Sequence, residues 1–220
     1  MRKKIKTVNP LSVEMANAIT HGFGILFGIA SLPVVAAIST KVDKPSAIVA
    51  AAIYAFSFIM LFTFSPLYHA TVQPEVKRVL KVLDHISIYF LIAGTYTPFL
   101  LIYMLNSFGI TLLSVLWGLS LFGIVFKILS AGRLRYISTL IYIAMGWILL
   151  VGGKVFFNTL STPVIVMVVV GGGIYTLGTL FYLNKKWVWH HVVWHLFVLS
   201  AAVCHYVAVL LAVLESNHSV

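Results

Sequence analysis

The stretch HHVVWHLFVLSAAVCHYVAVLLAVL, residues 190–214, has the length of a membrane span and three histidines near its start. It contains no Asp, Glu, Lys or Arg, and a helix needs about 20 mostly apolar residues to cross a bilayer. Only helices and closed barrels satisfy every backbone polar group in lipid. The stretch therefore predicts a transmembrane helix, and its histidines require an explanation.

Six further apolar segments precede this one. Of the 220 residues, 61% are hydrophobic and 9% are charged, which is a membrane composition. Breaks at clusters of charge, proline and glycine predict an all-α, polytopic membrane protein, a bundle of seven transmembrane helices. The predicted spans are residues 17–38, 47–68, 82–104, 109–130, 134–153, 161–183 and 190–214.

The fifteen Lys and Arg residues are divided unequally between the two sides of this bundle. Only Lys41, Lys44 and Lys154 lie opposite the N-terminus. Short cytoplasmic loops carry the excess of Lys and Arg, so residues 1–16 are predicted to be a cytoplasmic N-terminal segment and residues 215–220 an extracytoplasmic tail. The twelve on the N-terminal side are Arg2, Lys3, Lys4, Lys6, Lys77, Arg78, Lys81, Lys127, Arg133, Arg135, Lys185 and Lys186.

The formal net charge of +10 comes from these same Lys and Arg residues. Its cations occur in short clusters between apolar runs, unlike the basic stripe of a nucleic-acid-binding domain. We therefore predict a phospholipid bilayer as the surroundings and no nucleic-acid partner. The predicted location is the cell membrane of a bacterium, its inner membrane.

Polar residues at membrane depth are costly and mark functional sites, and here they gather on one side. Nine such residues lie at span ends that face the predicted cytoplasmic side, so four separate helices are expected to bring them together. They are Glu14 and His21 at the start of the first span, Ser65 and His69 at the end of the second, Asp84 and His85 at the start of the third, and His190, His191 and His195 at the start of the seventh.

His191 and His195 have the spacing of paired metal ligands, because residues four apart project from one face of a helix. Ser65 and His69, in SPLYH, share this spacing. Three imidazoles leave a fourth tetrahedral position for water, as in catalytic zinc sites, and an imidazole-rich set without thiolates favours Zn²⁺ over iron or copper. The prediction depends on His69, His191 and His195 meeting, since an isolated histidine at a helix end is more often only hydrogen-bonded.

Asp84 is predicted to act as a catalytic group beside this metal. A carboxylate at such depth needs a partner, and a water at the open metal position is one that it can deprotonate as general base. Ser65 could hold the same water or donate to a substrate carbonyl. The alternatives for Asp84 are a salt bridge to Lys81 and an interaction with the N-terminal end of its helix.

The other histidines have simpler interpretations. His205 lies ten residues beyond His195, about 15 Å along a helix, and is expected to be packed or hydrogen-bonded. His190 projects from another face and is predicted to be interfacial, while His218 is in the polar tail. The three glycines at 171–173 predict close helix packing.

Five blocks in order along the chain carry a family resemblance: EMANAITHGFG (14–24), SPLYH (65–69), LDHISIYFLIAGTYTPF (83–99), YIAMGW (142–147) and HHVVWHLFVLSAAVCH (190–205). The sequence resembles the haemolysin III family, within the progestin and adipoQ receptor superfamily, over nearly its whole length. The resemblance implies seven transmembrane helices, a cytoplasmic N-terminus and a zinc site near the cytoplasmic leaflet. By motif, it implies that His69, His191 and His195 hold the zinc.

The resemblance also implies roles for residues around the metal. Ser65, from S-x-x-x-H, and Asp84, from L-D, are expected to flank the metal's water. Glu14, Asn17 and His21 match the N-terminal block of the bacterial members and are expected to support the metal ligands from outside the first coordination shell.

Three functions are compatible with these predictions. The first is a zinc-dependent hydrolase of lipid amide or ester bonds, similar to ceramidases that share this arrangement, with a membrane lipid as substrate. The second, suggested by the family name, is a haemolysin that perturbs or forms pores in membranes, although seven hydrophobic helices favour a resident membrane protein. The third is a non-catalytic, receptor-like regulator of membrane lipid homeostasis.

Overall fold

The computed structural model describes residues 9–42, 44–129 and 135–216, which form eight α-helices. These make seven spans long and apolar enough to cross a membrane, because α5 and α6 together form one of them. The predicted seven-span bundle is confirmed for this part of the chain. The helices are α1 (Pro10–Ser39), α2 (Pro45–Ala70), α3 (Pro74–Tyr103), α4 (Ser107–Leu129), α5 (Arg135–Gly146), α6 (Leu149–Thr159), α7 (Thr162–Leu183) and α8 (His190–Ser216). Half of the predicted N-terminal segment, residues 1–8, and most of the predicted tail, residues 217–220, lie outside the described residues.

Two helices begin about two turns before the predicted spans: α1 at Pro10 rather than residue 17, and α3 at Pro74 rather than residue 82. Proline suits a first helical turn, where its missing N–H needs no acceptor. Asn9 caps α1 by accepting a hydrogen bond from the Leu11 N–H at 3.0 Å. These polar first turns lie outside the apolar runs that define a span from sequence. Residues near the predicted span starts, such as Asp84, consequently lie well inside helices.

The fifth span differs from its predicted form, a single helix over 134–153. Helix α5 ends at Gly146, α6 begins at Leu149, and a further kink occurs at Gly153, whose φ is 50°. The hydroxyl of Tyr96 donates to the carbonyl of Gly146 at 2.5 Å. A backbone group released from a helix inside the membrane needs such a partner, so α3 stabilises the break.

Helix α3 is the central element of the bundle. In an apolar stretch of 18 residues of this helix, 67% of the residues are buried, against 28% in the corresponding stretches of α4 and α7. On the outside, Phe23, Leu26 and Ile29 of α1 are each at least 60% exposed, as expected for side chains in contact with lipid. Because the spans alternate in direction, α1, α3, α5 and α8 start at one end of the bundle, where α2, α4 and α7 finish. We call this the N-terminal end.

Candidate metal centre

Three histidines from two helices meet at the N-terminal end of the bundle. His69 comes from the last turn of α2, and His191 and His195 come from the first turns of α8. One ring nitrogen from each lies within 4.8 Å of those of the other two. The ring centroids are 4.5 Å apart for His191 and His195, and 5.2 Å and 4.9 Å from His69 to these two.

Two of these rings are held from behind by α1. The Nδ1 of His69 lies 2.7 Å from Oε2 of Glu14, and Nδ1 of His195 lies 3.1 Å from the backbone carbonyl of Asn17. A carbonyl and a carboxylate accept hydrogen bonds, so both Nδ1 atoms carry the proton. In both rings, Nε2 is consequently the nitrogen with a free lone pair.

The group fits a metal ion on chemical grounds. The Nε2 of His69 is buried and has no hydrogen-bond partner among the residues that the structure describes. A buried polar atom without a partner is costly, and a metal ion would satisfy it. Neutral imidazoles whose opposite N–H is bonded to a carboxylate or a carbonyl are the usual form of metal-ligating histidine.

Asp84 lies on α3, 8% exposed, and lines the same cavity as His191 and His195. Its carboxyl group interacts with the hydroxyl of Ser65, one turn before His69, although the buried Ser65 Oγ makes no hydrogen bond of standard geometry within the described ranges. Serine and aspartate are thus neighbours at this end of the bundle.

Lys127 interacts electrostatically with the carboxyl group of Asp84, and Nδ1 of His85 lies 3.7 Å from Oδ2 of the same carboxyl group. Lys127 lies in the last turn of α4 and is only 4% exposed, so it is part of the bundle rather than a loop charge. Lys127 was counted with the loop cations from sequence, and its proximity to Asp84 was not predicted. Its position inside the apolar run LFGIVFKIL, residues 121–129, was the feature of the sequence that indicated burial.

His21 is the most enclosed of the residues expected to support the site. It is 2% exposed, and its ring stacks on that of His195 at 3.7 Å and 16°. Neither ring nitrogen has a hydrogen-bond partner in the described part of the chain. His21 also lines the adjoining cavity.

The remaining histidines of the described residues have other partners. His190 contacts the carbonyl of Phe181 through Nδ1 at 3.1 Å, and His205 contacts that of Val168 through Nε2 at 3.2 Å. His85, at the predicted start of the third span, bonds the carbonyl of Lys81 at 2.6 Å. His218 is outside the described residues.

An internal cavity leads from this centre between α3, α5, α7 and α8. At the N-terminal end its wall is polar, and further along it is mainly apolar and aromatic. From His195 to His205, both in the wall, the cavity follows α8 for about 15 Å. Its lining includes Asp84, His85, His191 and His195 at one end, Ile88, Leu91, Ile92, Tyr142 and Trp194 along its length, and Trp147, Tyr175 and His205 at the other.

Fold and site together define a class: a multi-pass membrane protein with a buried group of three histidines that could hold a metal ion beside an internal cavity. The chain matches the Haemolysin-III related family over residues 10–206, and it belongs to that family. The expected resemblance is thereby confirmed.

Three similar proteins support this family assignment. The chain is 41% identical to Hemolysin-3 of Bacillus cereus over 203 residues, covering 92% of this chain and 93% of the relative. It is 40% identical to a Hemolysin-3 homolog of Bacillus subtilis over 197 residues, covering 90% and 92%. A distant relative is the human Monocyte to macrophage differentiation factor, 26% identical over 200 residues, covering 88% and 82%.

Proposed function

We propose that this protein is a zinc-dependent hydrolase of lipid amide or ester bonds, of the kind that cleaves ceramide. The observation that supports it best is the cavity, because Asp84, His191 and His195 line one end and apolar side chains line most of the rest. A lipid whose chain occupied the apolar part would present its polar linkage to the histidines. Concave apolar sites with a few convergent polar groups are typical of ligand binding.

In this proposal, His69, His191 and His195 hold the zinc ion through ring nitrogens. Bound zinc would polarise a carbonyl group and make water acidic enough to react near neutral pH. Asp84 accepts the proton of the attacking water, and Ser65 donates a hydrogen bond to the carbonyl oxygen as negative charge develops there.

These roles determine which bonds form and break during the proposed hydrolysis. The water oxygen bonds to the acyl carbon, and the C–N bond of an amide or the C–O bond of an ester breaks. Asp84 then returns its proton to the leaving nitrogen or oxygen, so the products are a fatty acid and an amine or alcohol. The apolar wall of the cavity keeps other water away from the acyl chain.

The test uses purified protein loaded with zinc and incubated with ceramides and glycerophospholipids in mixed micelles. We expect release of free fatty acid, measured by mass spectrometry, from at least one lipid. Asp84→Asn should abolish release while keeping its zinc, and Glu75→Gln, at an exposed ion pair with Arg78, should behave as wild type. Zinc-loaded wild-type protein that releases no fatty acid from any lipid would contradict the proposal.

A second candidate function rests on the names of the Bacillus relatives, which describe haemolysins. A lytic protein should release dye from liposomes, and His191→Ala should leak as fast as wild type because a pore needs no zinc. Leakage without fatty acid would favour this function. A non-catalytic regulator of membrane lipids would show neither, and zinc removal would then lower only its stability.

We also propose the cytoplasmic membrane of a bacterium as the location, with the N-terminal end facing the cytoplasm. The uneven distribution of Lys and Arg supports this orientation. The substrate would then enter from the inner leaflet.

A further inference from the structure

One face of α1 contacts two metal-ligand candidates that belong to different helices. Glu14, Asn17 and His21 are three and four residues apart, so they lie along one side of the helix. Glu14 bonds His69 of α2 at 2.7 Å, and the Asn17 carbonyl bonds His195 of α8 at 3.1 Å. A helix that supplies none of the three ligands therefore orients two of them.

We propose that this face of α1 is the positioning element of the metal centre and that Glu14 is its main positioning residue. By accepting the hydrogen bond from Nδ1, the Glu14 carboxylate holds the His69 ring with its buried, unpartnered Nε2 toward the other two histidines. Without it, the ring could rotate or bind its proton on the other nitrogen. This inference rests on the proposed zinc site but requires no lipid hydrolysis.

Lys77 of α3 is a second partner of the Glu14 carboxylate. Its ammonium lies 3.4 Å from the same Oε2 of Glu14 and 3.2 Å from the carbonyl of Thr71, which follows α2. It also lies 5.1 Å from the centre of the Tyr68 ring. The carboxylate thus has a cationic partner that is not a metal ligand, and it is held between α2 and α3.

Removal of such an outer partner weakens metal binding without removing a ligand, typically by 10–100-fold. Glu14→Ala should accordingly lower zinc affinity by about that factor. Glu14→Gln keeps an oxygen that can accept from Nδ1, so its loss should be smaller. A merely structural role for Glu14 would instead lower the stability of the metal-free protein and leave the affinity of the folded protein unchanged.

The experiment compares full-length wild type, Glu14→Ala and Glu14→Gln in detergent micelles, with Glu75→Ala and Glu75→Gln as matched controls at the same kind of residue away from the site. Zinc affinity is measured by competition with a chromophoric chelator. The visible absorption of Co²⁺ added in place of zinc reports ligand geometry, and thermal melts without metal report folding.

We expect the affinity order wild type, Glu14→Gln, Glu14→Ala, a changed Co²⁺ spectrum for Glu14→Ala, and wild-type behaviour for both Glu75 variants. Wild-type affinity and an unchanged Co²⁺ spectrum in Glu14→Ala would overturn the inference, as would a wild type that binds no metal. Zinc-binding wild type without lipid turnover would overturn the proposed hydrolase alone.

Discussion

Adjacent histidines at the start of α8 have different surroundings. The ring of His191 lies 4.5 Å from that of His195 and 5.2 Å from that of His69. His190 instead contacts the carbonyl of Phe181. The two residues therefore provide a matched pair in which only one is placed to bind metal.

We expect the wild type to carry near-stoichiometric zinc and His191→Ala to lose it, because two imidazoles hold zinc far more weakly than three. His190→Ala should keep it. Zinc per protein is measured by inductively coupled plasma mass spectrometry after gel filtration in detergent. Equal zinc contents in the two variants would exclude His191 as a ligand.

Lys127 and Asp84 offer a second test, because both are buried and their side chains interact electrostatically. Removing one member of a buried pair leaves an uncompensated charge, at a cost on the order of 3 kcal/mol. We expect Lys127→Met to lower the thermal unfolding temperature of metal-free protein clearly. The double variant with Asp84→Asn should recover most of the loss. Additive losses in the double variant would show that the two residues do not interact.

The sequence predicted some residues of the site better than others. His191 and His195 were predictable because their spacing within one helix fixes their common face. The contact between Glu14 and His69 spans 55 positions in the chain and depends on how α1 and α2 are rotated against each other. Lys127 was missed for the same reason, since its burial depends on the packing of α4 against its neighbours.

Among the helices, α7 and α8 pack closely through glycine, and the run at 171–173 is not uniform. A Cβ on Gly171 would overlap the ring of His205, whereas one on Gly173 would meet nothing within 4 Å. From sequence, the three glycines could only be interpreted together. The break between α5 and α6 was likewise unpredictable, because an apolar run has the same hydropathy whether its helix is continuous or kinked.

Gly171→Ala should therefore destabilise the protein by about 1–3 kcal/mol, the usual cost of overpacking. Gly173→Ala should be neutral or stabilising, because alanine is a better helix former than glycine by up to about 1 kcal/mol. Melting temperatures in detergent check both. Similar losses in the two variants would indicate that helix packing at Gly171 is not as close as described.

At the scale of the whole molecule, the candidate metal centre joins the beginning and the end of the chain. Its candidate ligands lie on α2 and α8, and two of them contact α1. Seven spans and their order followed from hydropathy, since each apolar run must cross the bilayer. The internal cavity did not follow, because its shape depends on side chains from six helices.

Orientation in the membrane decides which leaflet supplies a lipid to this centre. Twelve of the fifteen Lys and Arg residues lie on the N-terminal side of the seven spans, so the positive-inside rule predicts a cytoplasmic N-terminus. An odd number of spans then puts the C-terminus outside.

Fusions in a bacterial host test this orientation. Alkaline phosphatase joined after Ser216 should be active, because it folds only outside the cytoplasm, and green fluorescent protein at the same point should not fluoresce. Both results should reverse for fusions after Asn184, which follow six spans instead of seven. Fluorescence at Ser216 with an active phosphatase at Asn184 would place the histidine centre in the outer leaflet, and a lipid substrate would then have to enter from outside the cell.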